Sequence, residues 1–508
     1  MEKLEAAVKE VREAYESGRT RSLSWRRTQL AALRRLLYER EDDIFIALKE
    51  DLGKHQAEAY RDEAFDAPCW ILLCLLMRSL FDFDFDIDFS CSGLPQVGIL
   101  IKSVNLALED LKKWMAPVKI SLPLIAFPST AEIVPEPLGV VLIFSSWNFP
   151  IGLSLEPLIG AISAGNAVFL KPSELAPSSA NFLLNIIPKY LDNKAVKVIQ
   201  GGQEVGEKLL DQKWDKIFFT GSPHVARIVM TAAAKHLTPV ALELGGKCPA
   251  IVDSIAGERN RKVAVQRIVG GKWVSCSGQA CISVDYILVE EKFAPTLVEL
   301  LKATLRKFFP NSDFLSRIIN EQHFHRLSNL IKDPSVANTI VHGGSIDYEK
   351  LFIEPTILLD PPLDSEIMTG EIFGPLLPII TVKNIEDSIA FIRARPKPLV
   401  IYAFTQNNKL KSRIEAETSS GSLTINDTMT QFAFDTLPFG GVGASGFGQY
   451  HGKFSFDMFS HKKPVLRRSF LMEYSFRYPA WHEWKLPFLR SVYHFDYFSL
   501  VLRMLGLK

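Results

Sequence analysis

Cysteine is scarce in this sequence: six occur in 508 residues, three of them crowded at Cys69, Cys74 and Cys91. That leaves no disulfide framework and favours a reducing, intracellular compartment. An excess of either charge is also missing, since 58 Lys and Arg face 57 Asp and Glu. Without a cationic surplus no nucleic-acid ligand is expected. No apolar run approaches the roughly 20 residues of a membrane span. The opening MEKLEAAVKEVREAYESGRT sets acids among Leu4, Val8, Val11 and Tyr15, where a secretion signal would be continuously apolar. Repeats and low-complexity linkers are absent too. Nor does a G-x-G-x-x-G follow a first strand: GGVGASGFG (440–448) follows no strand–helix–strand unit and reads as a loop.

What is present is an alternation of apolar strands and helical stretches. GVVLIFSSW (139–147), NAVFLKP (166–172), AVKVIQGG (195–202) and KIFFTGS (216–222) read as buried strands with helices between them. This order implies an α/β fold with a parallel, doubly wound sheet and ligands at the strand ends. A second α/β series is expected from PVALELGG (239–246) to SGSLTIND (420–427). Residues 1–63 read as helical with breaks at Gly18 and Gly53, and 117–137 as an extended, Pro-rich pairing segment.

Several short stretches have the chemistry of a site. CSGQAC (276–281) sets Cys276 and Cys281 close together, as a disulfide, a metal clip, or a nucleophile with a bystander. Neither a second Cys pair nor a nearby His completes a metal set, so no metal is expected. In LELGGK, Glu243 ends a strand, where partial desolvation would lift its pKa toward that of a base; a buried ion-paired glutamate fits equally. Asn148 in WNFP is an amide for an oxyanion or an ordinary turn former. Lys171 and Glu174 in LKPSE suit ribose hydroxyls, and the backbone at Gly221 and Ser222 in FFTGS suits phosphates. EIFGP adds Glu371 before a Gly-Pro turn.

Together WNFP, LKPSE, FFTGS, LELGGK, GQAC, EIFGP and LPFGGVGASGFGQYHGK stand in the order and approximate spacing of aldehyde dehydrogenases. The chain resembles that superfamily from about residue 5 to residue 465. Its short N-terminal arm and QYHGKFSFDMFSHKKPVL (449–466) are similar to the class 3 branch, which takes fatty and aromatic aldehydes. The resemblance implies NAD(P)-dependent oxidation of medium- or long-chain aliphatic or aromatic aldehydes through a thiohemiacetal and a thioester. It makes Cys281 the nucleophile, Cys276 the bystander and Asn148 the oxyanion donor. Glu243 and Glu371 divide the roles of deacylation base and nicotinamide-ribose holder, while Trp147, Lys171, Glu174, Gly221, Ser222, Glu371 and Phe373 form the set for NAD or NADP.

The expected architecture is a Rossmann-like cofactor domain (1–116 and 138–240), a catalytic α/β domain (241–425) and a small oligomerisation element (117–137 and 426–464), followed by a tail, 465–508. A homodimer is implied. The rival reading is a catalytically impaired relative serving as a binding or scaffold protein. Residues 64–96, with an apolar run from Pro68 to Met77 and the alternation FDFDFDIDF, are expected to be an insertion, because AEAYRDE (57–63) and VGILIKSVNLALEDL (97–111) join in one helical period without them. The tail end YHFDYFSLVLRMLGLK (493–508) is too interrupted to span a bilayer and suits either an interfacial helix or docking on the protein's own surface. A cytoplasmic protein with peripheral membrane contact is compatible with this.

Overall fold

The computed structural model describes residues 2–64, 98–123, 126–310, 314–471, 473, 477–504 and 507. The expected insertion falls on residues outside this set, apart from Ala64. The chain divides into two compact units, Met1–Trp114 with Pro137–His461, and Met115–Glu136 with Lys462–Lys508.

Strands are numbered along the chain: β1 (Val118–Ile120), β2 (Thr130–Pro137), β3 (Val140–Phe144), β4 (Ala167–Lys171), β5 (Val196–Val198), β6 (Lys216–Gly221), β7 (Val240–Leu244), β8 (Pro249–Val252) and β9 (Tyr286–Glu290). Then follow β10 (Ile340–His342), β11 (Ile346–Asp347), β12 (Phe352–Ile353), β13 (Thr356–Leu359), β14 (Leu376–Val382), β15 (Val400–Phe404), β16 (Ser422–Ile425), β17 (Gly446–Phe447) and β18 (Ser460–Arg467).

The first unit holds two large sheets. One has the order β17-β7-β6-β3-β4-β5, with β7 to β5 parallel. Every residue of β3 and β4 is buried, as expected of central parallel strands under packed helices. Helices Glu2–Glu16 and Gly152–Ala164 pack on these strands. From β3 the chain adds β4 and β5 on one side and β6 and β7 on the other, so a topological switch lies between β3 and β6. The strand ends there are where an open α/β sheet binds ligands. Among the described residues, helices Glu2–Glu16, Leu23–Glu39, Glu41–Leu52, Gln56–Ala64 and Ile99–Trp114 precede the sheet. Gly18 and Gly53, at φ 78° and 67°, punctuate them.

The other sheet has the order β10-β13-β14-β9-β8-β15-β16. It is parallel except for β10, which pairs antiparallel with β13.

Two sequence-based boundaries move. PVALELGG does not open the second series: β7 joins the first sheet, with Thr220 opposite Glu243, and the second sheet starts at β8. The first sheet therefore extends to Leu244 rather than stopping at residue 240. GGVGASGFG is not wholly loop, because Gly446 pairs antiparallel with Glu243 through β17. Likewise 426–461 belongs with the first unit, and only residues from Lys462 onward join 115–136.

The second unit carries a three-stranded sheet of order β1-β2-β18, with Lys119 opposite Glu132. Lys463 pairs with Glu136 at 3.0 Å, and Arg467 with Glu132. Helices Lys485–Tyr493 and Tyr497–Met504 follow.

Candidate active site

The approach to Cys281 is an unusual backbone. Helix Glu258–Val269 widens into a one-turn π-helix, Gly270–Val274, a feature often found at functional sites. Trp273 anchors it by donating from Nε1 to Pro375 O at 2.7 Å. Cys276, Ser277 and Gly278 then adopt left-handed φ values of 51°, 50° and 78°. Such conformations persist in non-glycine residues only when neighbours hold them. Here the Cys276 N–H donates to Glu58 Oε1 at 2.8 Å and Ser277 Oγ donates to Ser316 O at 2.6 Å. At Gly278 a Cβ would lie 2.4 Å from Gly374 O, so only glycine fits the turn. Buried Gln279 is the strut: its Nε2 donates to Cys276 O and Arg317 O, both at 3.0 Å, and its Oε1 accepts from Ile319 N at 3.2 Å. Cys281 emerges partly exposed, with Cys248 behind it donating from Sγ to Cys281 O at 3.3 Å.

Glu243 projects from the end of β7 into this region. Its two oxygens are buried without a partner of full hydrogen-bond geometry. Burial pushes its pKa up to about 7, and the Cys281 thiol, a weak donor close by, pulls the other way. Glu371 is held differently. Its Oε1 accepts from Gly246 N at 2.9 Å, and a Cβ on Gly245 would stand 2.2 Å from that oxygen. Lys247 Nζ fixes the Glu371 loop by donating to Ile367 O at 2.8 Å and Gly370 O at 2.9 Å while pairing with Asp285. Asp285 in turn accepts from Ile372 N at 3.0 Å. Burial pushes Glu371 up to about 8, against the Gly246 N–H and with a contribution from Asp285. Burial first, then the Glu243 and Glu371 carboxyls, hold the Cys281 thiol well above the usual thiol range. At rest Cys281 is therefore a thiol rather than a thiolate.

Asn148 is buried, and its carbonyl accepts from Lys54 Nζ at 3.0 Å and from Cys276 Sγ at 3.6 Å. Trp147 meets the edge of Phe373 at 5.3 Å between ring centroids. Phe373 itself sits at φ 50°. Both rings pack with Leu52, Ala176, Cys276 and Ile319 in one apolar cluster, so Cys276 serves as a packed core residue. Among the described residues no group of three His, Cys, Asp or Glu is placed to hold a metal ion.

The first sheet's strand ends carry the remaining candidates. Lys171 closes β4, and its buried Nζ donates to the half-exposed Glu174 Oε2 at 2.7 Å. At the end of β6, Thr220 Oγ1 is buried without a partner. Gly221 follows, and Ser222 caps helix Pro223–Ala234 by accepting from Val225 N at 3.3 Å. The ends of β4 and β6 flank the end of β3. An unpaired hydroxyl beside a helix N-terminus suits a pyrophosphate, and a lysine–glutamate pair one strand away suits ribose hydroxyls. These residues fit a nicotinamide dinucleotide.

The structure thus gathers Cys281, Glu243 and Glu371 into one electrostatic group, places Asn148, Trp147 and Phe373 around the Cys276 cluster, and leaves Lys171, Glu174, Gly221 and Ser222 at and just beyond the ends of β4 and β6. Sequence reasoning passed over Lys54, Lys247, Gln279 and Asp285. Lys247 and Gln279 lie inside quoted motifs, but nothing local marks Lys54 or Asp285. A cavity of about 860 Å³ opens elsewhere, lined by Phe45, Lys49, His55, Leu315 and Phe352. It shares Lys54 and Arg317 with the surroundings of the site and contains none of the candidate reactive groups.

The model of the aldehyde dehydrogenase family matches residues 97–465. Aldehyde dehydrogenase family 3 member F1 of Arabidopsis thaliana is 53% identical over 100% of this chain and 99% of its own. Family 3 member A2 of Rattus norvegicus is 42% identical over 95% of this chain and 93% of its own. The substrate-bound structure of Staphylococcus aureus AldH superposes with a TM-score of 0.86 at 38% identity, covering 96% of this chain and 99% of that one. The chain belongs to the aldehyde dehydrogenase family, and its activity is the NAD(P)-dependent oxidation of aldehydes.

Proposed function

We propose that Cys281 is the nucleophile, Asn148 the oxyanion donor and Glu243 the base of this oxidation. The observation that carries the reading is the pairing of Cys281 with a buried glutamate whose pKa stands at about 7. A thiol attacks the aldehyde carbonyl to give a thiohemiacetal, a carbon that can expel hydride to leave a thioester. The nicotinamide, when bound, accepts that hydride, and its positive charge favours the thiolate. Glu243 accepts the proton of the thiol and later that of the hydrolytic water, both of which require its carboxylate form. Glu371, set against Gly246 and neutral near pH 7, is assigned to hold the nicotinamide ribose. Lys171, Glu174, Gly221, Ser222, Trp147 and Phe373 complete the cofactor set, and Glu174 beside a ribose would repel a 2′-phosphate and so favours NAD.

Purified protein with a medium-chain aldehyde should reduce NAD(P). Cys281→Ser should abolish turnover while Cys276→Ser keeps most of it, and equal losses from both would remove Cys281 from its role.

We further infer a homodimer pairing through the β1-β2-β18 sheet, a reading supported by exposed Val118 and Ile120 on β1. A cytoplasmic protein with peripheral membrane contact by the tail is the companion proposal. Trp481, Trp484, Tyr493, Phe498 and Val501 are all exposed, and no described helix is long and apolar enough to cross a membrane. Flotation with anionic liposomes should fall on deletion of 493–508; unchanged flotation assigns the tail to the protein's own surface.

A further inference from the structure

The loop that leads to Cys281 is gripped from one side by a short helix. Helix Gln56–Ala64 packs on helices Glu41–Leu52 and Ile99–Trp114. From it Glu58 Oε1 accepts from Cys276 N at 2.8 Å and from Ser316 Oγ at 2.8 Å, and Oε2 takes the same hydroxyl at 2.9 Å. Ser316 O in turn accepts from Ser277 Oγ at 2.6 Å. Glu58, Cys276, Ser277 and Ser316 therefore close a ring, of which all but Glu58 are buried. Three residues on from Glu58, Arg61 Nη2 donates to Val274 O and to Ser275 Oγ, both at 3.1 Å.

The same stretch holds the residue assigned to the oxyanion. Lys54, just ahead of the helix, is buried, lies over the Phe149 ring at 4.1 Å and donates from Nζ to Asn148 O at 3.0 Å. Lys54, Glu58 and Arg61 stand at i, i+4 and i+7, the spacing of one helix side. Cys276 Sγ donates to that same Asn148 carbonyl at 3.6 Å, so the two supported pieces also touch each other.

Attack on an aldehyde makes two demands at once: sulfur must meet the carbon and the amide must meet the oxygen of one carbonyl group. A misplacement of about 1 Å in either costs about 10²-fold. The loop cannot supply this accuracy by itself, because Cys276 and Ser277 sit at φ 51° and 50°, a conformation that the surroundings must impose. Without the Glu58 acceptor the Cys276 N–H would be buried and unpaired, and the backbone would relax out of the left-handed region. Gln279, bonded to Cys276 O at 3.0 Å, would carry that shift to within two residues of Cys281.

We propose that the stretch 54–61 is the common support of nucleophile and oxyanion donor, with Glu58 and Arg61 as positioning residues for Cys281 and Lys54 for Asn148. The inference rests on the roles proposed above for Cys281 and Asn148. Its competitor is a role in folding alone, and the two lower different quantities. Mispositioning slows molecules that are all folded, whereas misfolding reduces the number of folded molecules.

Steady-state rates with NAD and a medium-chain aldehyde, read beside the number of NAD molecules bound per chain in titration calorimetry, separate them. Glu58→Ala should lower kcat about 10²-fold while still binding one NAD per chain with little change in the KM for NAD. Glu58→Gln keeps a carbonyl oxygen for the Cys276 N–H and should recover to within about threefold of the parent, whereas Arg61→Met should lose about tenfold at full NAD stoichiometry. Three results would overturn the proposal: an unchanged kcat in Glu58→Ala, a fall in kcat matched by lost NAD stoichiometry, or Glu58→Gln as slow as Glu58→Ala. If Glu58→Ala fails to fold, Arg61→Met decides by the same two readings. Turnover retained in Cys281→Ser would instead count against the underlying reading of Cys281.

Discussion

The backbone carbonyl of Asn148 is tied down by Lys54 and Cys276, and the proposed oxyanion donor is its side-chain amide. Removing one such donor costs about 10² to 10³ in turnover. Asn148→Ala should lose activity on that scale in steady-state assays, and a normal rate would exclude it from the site. In its proposed role as base, Glu243 would set the pH dependence. Burial raises its pKa to about 7, and a base must be the carboxylate, so deacylation should rise as pH climbs through about 7 and level off above. The same raised pKa means the folded state holds this proton more tightly than the unfolded chain does, so stability from Glu243 is full at acid pH and is lost as pH rises through about 7. Glu243→Gln should accordingly narrow its stability deficit, or gain over the parent, at pH 8 relative to pH 5. At this scale the motifs were readable, because the candidate side chains follow strand ends and glycine turns. The struts were not: Lys54 is distant in sequence from the Asn148 carbonyl it holds, and no local pattern encodes that meeting.

Among the elements, the turn after β7 shows most clearly how backbone shape positions the chemistry. Gly245 lets the Glu371 carboxyl approach within 2.2 Å of where a Cβ would stand. Gly245→Ala should push Glu371 off the Gly246 N–H, destabilise the fold by about 1–3 kcal/mol, and raise the KM for the cofactor more than the KM for the aldehyde. Equal kinetics with an unchanged melting temperature would separate Glu371 from the cofactor. β3, β4 and β6 were legible as apolar runs bounded by turns. The sheet membership of β7 was not, since VALEL has the composition of a buried strand in either sheet and pairing is decided by tertiary contacts. β17 escaped notice for a related reason: a two-residue strand in a glycine-rich loop has no periodicity to read.

At the level of the whole molecule, the α/β class and the two strand series followed from the alternation of apolar runs and helices, while the division into units did not, because residues 426–461 return to the first unit through contacts remote in sequence. The proposed mechanism rests on one covalent intermediate, an acyl group carried by Cys281. Glu243→Gln enzyme mixed with aldehyde and NAD(P) should release one equivalent of reduced cofactor and stall, and peptide mass spectrometry of the stalled enzyme should find the acyl mass on Cys281. An acyl group on Cys276 or Cys248, or continued turnover without any adduct, would contradict the assignment.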